Sequence, residues 1–218
     1  MYRAIGSSVF AVTLIWAATA AANSPNLKGA YGFTGSAVCL VAPGSSATAP
    51  PPGNTTPLPN SGFDSNLHPN DCHVFSHSFA VEGIRTFNGD GTGTVQGTEV
   101  GITAPPTPTG PLYPAFAPSA DSHTFSFSFT YTVSGDGSWS ATMVPNSFSG
   151  TFVSGPRTGQ TFTVDAIPPI LGLMSQDGKT LTAAHAVPTV ETHTYSNGDV
   201  WPMICHRSRV FIALPKGN

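Results

Sequence analysis

Charge is what this chain has least of: Asp, Glu, Lys and Arg make up only 9% of its 218 residues, against about 25% in a typical soluble domain. The 8 Lys and Arg are scattered rather than gathered into a stripe, which excludes nucleic acid and anionic membrane surfaces as partners held by electrostatics. Carboxylates are equally thin. Of the 11, Asp90, Asp136, Asp177 and Asp199 fall in turn sequences, and no pattern among the rest singles out the two converging carboxyls of a glycosidase. There is no Gly-x-Ser-x-Gly elbow, no phosphate-binding Gly-rich loop with Lys and no His-Glu-x-x-His. Runs long and apolar enough to span a bilayer are missing after the first two dozen residues, so no membrane span is expected in the mature chain.

That opening segment has the form of an export signal. Arg3 supplies a positive charge, Ala4 to Ala20 is uncharged and largely apolar, and Ala20-Ala21-Ala22 offers small residues for cleavage. Residues 1–22 are therefore expected to be removed, leaving 23–218 as one domain, secreted or periplasmic. Export permits disulfides. With three cysteines, one thiol is left over. In a closed barrel the first and last strands are neighbours, so Cys39–Cys205 is the expected bridge; Cys39–Cys72 is the alternative, and would tie down the loop between them.

What the chain has in quantity is Gly (23), Pro (21), Ser and Thr, the composition of many short strands joined by turns. Strand patterns run over Gly29–Val41, Val74–Phe87, Thr92–Ile102, Ser138–Val144, Phe148–Val153, Gln160–Asp165, Leu171–Ser175, Lys179–Val187, Thr189–Tyr195 and within Val200–Leu214. The cleanest is a fourth in chain order, where Phe125, Phe127, Phe129, Tyr131 and Val133 alternate with Ser and Thr. Pro-rich stretches at about 42–72 and 104–118 bury no core and read as loops. Asn88-Gly89-Asp90-Gly91, Gly135-Asp136-Gly137 and Asp177-Gly178 form a faint repeat. Each carries one carboxylate where a calcium loop needs several, and Asp-Gly suits hairpin turns. The expected fold is an all-β, antiparallel up-and-down barrel of about 8–10 strands, with a two-sheet sandwich as the alternative.

The informative anomalies are polar residues on apolar strand faces. His77 and Arg85 share parity with Phe75, Phe79, Val81 and Phe87, so both point into the interior, where they must be paired, hydrated or bound to a ligand. Arg85 could hold a carboxylate or enolate, and His77 could act as donor or base. Glu191, His193 and Tyr195 share one face of a late strand, and Arg207 and Arg209 share parity with Cys205. A Glu191–Arg207 ion pair is the plain expectation; Glu191 and His193 as acid or base is the functional one. His68, Asp71, Cys72 and His73 match no established metal spacing, and no metal or cofactor is expected.

The run Leu27-Lys28-Gly29-Ala30-Tyr31-Gly32-Phe33, then Phe87-Asn88-Gly89-Asp90-Gly91-Thr92-Gly93-Thr94-Val95, then Tyr131-Thr132-Val133 with Gly135-Asp136-Gly137, resembles uncharacterised secreted bacterial barrels of calycin-like or allene-oxide-cyclase-like type. The resemblance implies a bacterial origin and a barrel, and transfers no catalytic residue. The functional expectation is a non-catalytic barrel that binds a small apolar ligand or a cell-surface partner, or serves as a structural surface protein. The alternatives are a cofactor-independent isomerase or cyclase, which the resemblance would allow, and an adhesin-like sandwich module.

Overall fold

A computed structural model describes residues 27–42, 62–70, 74–104 and 119–215. The expected leader, most of both Pro-rich stretches, and Asp71, Cys72 and His73 lie outside them. Among the described residues there are eleven strands and no helix: β1 (Lys28–Val41), β2 (Phe75–Asn88), β3 (Thr92–Ala104), β4 (Ser119–Val133), β5 (Ser138–Met143), β6 (Ser149–Ser154), β7 (Thr161–Val164), β8 (Ile170–Met174), β9 (Thr180–His185), β10 (Val190–Tyr195) and β11 (Val200–Ala213). No helix among these residues is long and apolar enough to cross a membrane.

The strands close into a barrel. β1 pairs with β2, β2 with β3 and β3 with β4; the ring then runs through β5, β8, β9 and β11, and β11 returns to β1. That last pairing extends from Tyr31↔Ala213 to Val41↔Met203, so the wall is continuous there and the sandwich alternative is not what the chain adopts. A barrel of eight strands falls within the expected range, but the described residues form eleven because part of the wall is built in two tiers. β4 pairs with β6 through Ser122–Ser126 and with β5 through Phe129–Val133. β11 pairs with β10 through Val200–Thr194 and neighbouring pairs, and with β9 further along, through Ser208–Ile212. The reason is length. β1 to β4 and β11 are 13 to 15 residues long, whereas the other six have 4 to 6, so a long strand faces two short ones end to end. β5, β8 and β9 complete one end of the barrel; β6, β7 and β10 complete the other.

Turn chemistry fixes the hairpins. Gly89, Gly91, Gly137 and Gly178 all have positive φ, which side chains disfavour. The carboxylate of Asp90 accepts the Thr92 amide and hydroxyl, that of Asp136 accepts the same groups of Ser138, and that of Asp177 accepts the Lys179 amide and the Ser175 hydroxyl. The faint repeat is thus a repeated turn whose carboxylate is used within the turn.

Side-chain alternation then fills the interior. At one end Phe87 meets Tyr31, Phe129, Tyr131 and Trp139 edge to face. At the other, Phe152, Phe162, Tyr195, Trp201 and Phe75 pack in succession. Cys39 and Cys205 are direct partners across the β1–β11 seam and form the disulfide, so Cys39–Cys72 does not occur. Cys72 itself lies outside the described residues.

Candidate functional site

Between the two aromatic ends, at the level where the tiers of short strands meet, the barrel holds a cavity of about 90 Å³. Its apolar wall includes Phe33, Phe79, Phe125, Phe127, Phe148 and Phe211; its polar wall is Arg85, Glu99, His123, His185, His193, Arg207 and Arg209. Where the tiers meet, the Phe125, Phe127 and Phe148 rings stack at 5.9 to 6.3 Å. Phe125 and Phe127 remain only partly buried, although they continue the inward face of Phe129 and Tyr131. Ile167, Ile170, Ala184 and His185, from the segments bordering the junction, line the same cavity.

Small residues on β3 make room for this interior. Its inward face alternates Gly93, Val95, Gly97, Glu99, Gly101 and Thr103, and the side chains of neighbouring strands lie over the glycines. A methyl on Gly101 would come within 2.6 Å of His77 Cε1, and one on Gly97 within 2.9 Å of Phe125 Cζ. His77 is held in this way on β2 with Nδ1 3.1 Å from the Thr103 hydroxyl. Its Nε2 faces Glu99 at 3.8 Å, and His123 Nε2 approaches the same carboxylate oxygen at 3.7 Å. Burial lowers the His123 pKa against the opposing pull of Glu99 and Asp121, so the ring is neutral near pH 7.

The second polar group is centred on Glu191, which is 1% exposed. Arg207 donates both terminal nitrogens to its carboxylate, and His193 Nε2 lies 3.0 Å from Oε1. Burial alone would raise the carboxyl pKa, but Arg207 and His193 outweigh it and hold it at about 2. The expected Glu191–Arg207 pair therefore exists, with His193 attached to it. His185 Nδ1 is 3.2 Å from the Cys205 carbonyl, and burial together with the Arg207 charge keeps its pKa near 4.

Arg85 stands apart. It is 7% exposed, and its Nε and Nη1 have no hydrogen-bond partner among the described residues. Its guanidinium carbon sits 4.4 Å from the Phe129 ring centre, 5.2 Å from Phe211 and 5.9 Å from Trp139. Burial and the nearby Arg209 charge lower its pKa to about 9, so it remains a cation at neutral pH. Arg209 donates to the backbone oxygens of Ser36 and Ser208, and burial and Arg207 lower it to about 10.

Of the residues expected from sequence, His77 and Arg85 do point inward on β2. Glu191, His193 and Arg207 come together. His77, however, belongs with Glu99 and His123 and does not line the cavity wall, whereas Arg85, His193 and Arg207 do. His68 pairs at 3.6 Å with Asp64 in an exposed turn; the other three residues of its cluster are outside the described ones, and no group of His, Cys, Asp and Glu among the described residues is placed to hold a metal ion. Sequence reasoning missed Glu99, Asp121, His123 and Arg157. The first three carried a signal, since each continues the inward parity of its strand. Arg157 carried none: it enters from the turn between β6 and β7, lies 4.1 Å from the Phe152 ring centre and bonds Asp121 at 2.7 Å.

No family model and no curated protein matches the chain. Among solved structures, a match is the enduracididine biosynthesis enzyme MppR complexed with the condensation product of pyruvate and imidazole 4-carboxaldehyde, at 8% identity over 85% of this chain and 88% of that one, with a TM-score of 0.18. A likeness that low carries no argument about fold or function.

Proposed function

We propose that this protein is a secreted or periplasmic barrel that takes a small, largely apolar ligand into its interior without transforming it. The observation that carries the reading is the cavity itself. Protein interiors normally close over such space, and this one lies between two well-packed ends, walled by aromatic rings with a few fixed polar groups, the composition of small-molecule sites. The bridge across the barrel seam and the N-terminal leader pattern support export.

Native mass spectrometry of the mature protein, purified from its own host's envelope, tests this against the denatured mass. A discrete excess of up to a few hundred daltons is expected. Equal masses, in a preparation never exposed to denaturant or dialysis, would favour a structural surface role instead. A second reading, a cofactor-independent isomerase or cyclase, has one observation in its favour: two imidazoles at the cavity wall, those of His123 and His193, each approach a carboxylate, an arrangement able to move protons. A ligand recovered as two interconverting isomers in the presence of the protein, and as one without it, would support that reading.

A further inference from the structure

The reading above leaves the ligand's polar end unspecified, and one buried group bears on it. Arg85 Nε and Nη1 have no partner among the described residues inside a largely apolar cavity, whereas Arg207 has Glu191 and Arg209 has two backbone carbonyls. Buried charges in proteins are ordinarily paired, and contact with three aromatic faces attracts a cation without satisfying its N–H groups. The charge balance is uneven as well. Around the cavity stand the guanidiniums of Arg85, Arg207 and Arg209, against the carboxylates of Glu99 and, behind Arg207, Glu191. Among the described residues no carboxylate contributes appreciably to the electrostatic environment of Arg85; the charge that does is Arg209, of the same sign. Counted over the described residues, the site is therefore one negative charge short, and the shortage is located at Arg85.

We infer that the barrel's ligand is a small organic monocarboxylate, whose carboxylate is held by Arg85 and whose apolar body lies against Phe127, Phe125 and Phe148. This rests on the ligand-binding reading above. Arginine's planar fork matches a carboxylate's two oxygens, and a single negative charge makes three guanidiniums balance three carboxylates. Size narrows the class. A cavity of about 90 Å³ has room for on the order of six water-sized groups at ~15 Å³ each, which suits a short-chain or single-ring acid better than a long acyl chain. A divalent anion such as phosphate would overshoot the balance and leave the aromatic wall uncovered.

The test is calorimetric titration of the mature, disulfide-intact protein, shown by native mass to be ligand-free, with butyrate, benzoate, butyramide, benzamide and inorganic phosphate. Butyrate or benzoate should bind at least tenfold more tightly than the matching amide, and phosphate should not compete. The preference should vanish in Arg85→Met and Arg85→Gln, with binding of the amide kept. Titration of ¹⁵N-labelled wild type gives a readout that needs no variant: the Arg85 Nε–H resonance should shift with the carboxylate and not with the amide. Equal binding of acid and amide, or a preference that survives in folded Arg85→Met, would overturn the carboxylate assignment while leaving a cavity that binds ligands. Phosphate binding as tight as butyrate would mark an inorganic anion site and overturn it too. Absence of binding by all five would overturn the monocarboxylate assignment, while the ligand-binding reading stands or falls on the native-mass comparison.

Discussion

At the residue scale the interior contains two kinds of buried charge with opposite effects on stability. Glu191 is fully paired. Removing its charge leaves Arg207 buried without a counterion, so Glu191→Gln should cost about 3–5 kcal/mol, read as a lower midpoint in chemical denaturation. The pH dependence follows from the depressed carboxyl. Its folded pKa of about 2 lies below the ordinary glutamate value of 4.5, so the stabilisation is fully present above pH 4.5 and is lost as pH falls toward 2. Glu191→Gln should therefore flatten the acid limb of the stability curve, measured as melting temperature between pH 2 and 6. Arg85 is the converse case. Its folded pKa of about 9 lies below the ordinary arginine range, so its charge opposes folding at neutral pH and that opposition fades as pH rises beyond 9. Arg85→Met should stabilise the ligand-free protein by about 1–3 kcal/mol, the gain from removing an unpaired buried charge less the aromatic contacts it makes. A residue kept at a cost to stability is what a binding role would require.

At the element scale β3 shows how one strand organises its neighbours. Gly to Ala within a strand is ordinarily neutral or mildly favourable where the backbone allows it. At Gly101 the added methyl would fall 2.6 Å from His77 Cε1 and 3.2 Å from Nε2, so the ring must turn and give up Thr103. Gly101→Ala is therefore expected to cost about 1–3 kcal/mol, and the His77 imidazole resonances should move while those of His206, outward-facing on β11, stay put. Strand positions were legible in the sequence nearly to the residue, because period-two alternation and Asp-Gly turns are local signals. β4 is the exception. It begins at Ser119, six residues before the Phe-rich alternation, and those six carry Asp121 and His123 inward. Polar residues on an inward face look like a loop until a second polar layer is there to receive them.

At the scale of the whole molecule the barrel is closed by the β1–β11 ladder and by one covalent bond across it. Cys39 and Cys205 are separated by 166 residues, so the bridge confines a long loop in the unfolded chain, worth up to about 5 kcal/mol in the chain-entropy account and often less in practice. Reduction, or Cys39→Ser with Cys205→Ser, should lower the melting temperature without changing the far-ultraviolet circular dichroism, since eleven residues of each strand still face each other in the antiparallel ladder that holds the same seam.

The sequence by itself determined the all-β class, the strand segments, the turn role of the repeated Asp-Gly and the inward direction of His77, Arg85, Glu191, His193 and Arg207. All of these follow from the geometry of a single strand or turn. Even the Cys39–Cys205 pairing needed only the idea of closure. What the tertiary structure decided was which strand meets which. β5 to β10 could have continued a simple meander, and only the mismatch between 14-residue and 6-residue strands folds them into two tiers. That stacking creates the mid-barrel cavity, gathers Glu99, His123 and Arg209 around it from three different strands, and sends Arg157 into one aromatic end. It also decides that Glu191 reaches Arg207 while, among the described residues, no carboxylate reaches Arg85. Alternation tells each residue which side of the sheet it occupies, but charge balance in the interior is a sum over strands that are distant in sequence, and no local pattern contains that sum.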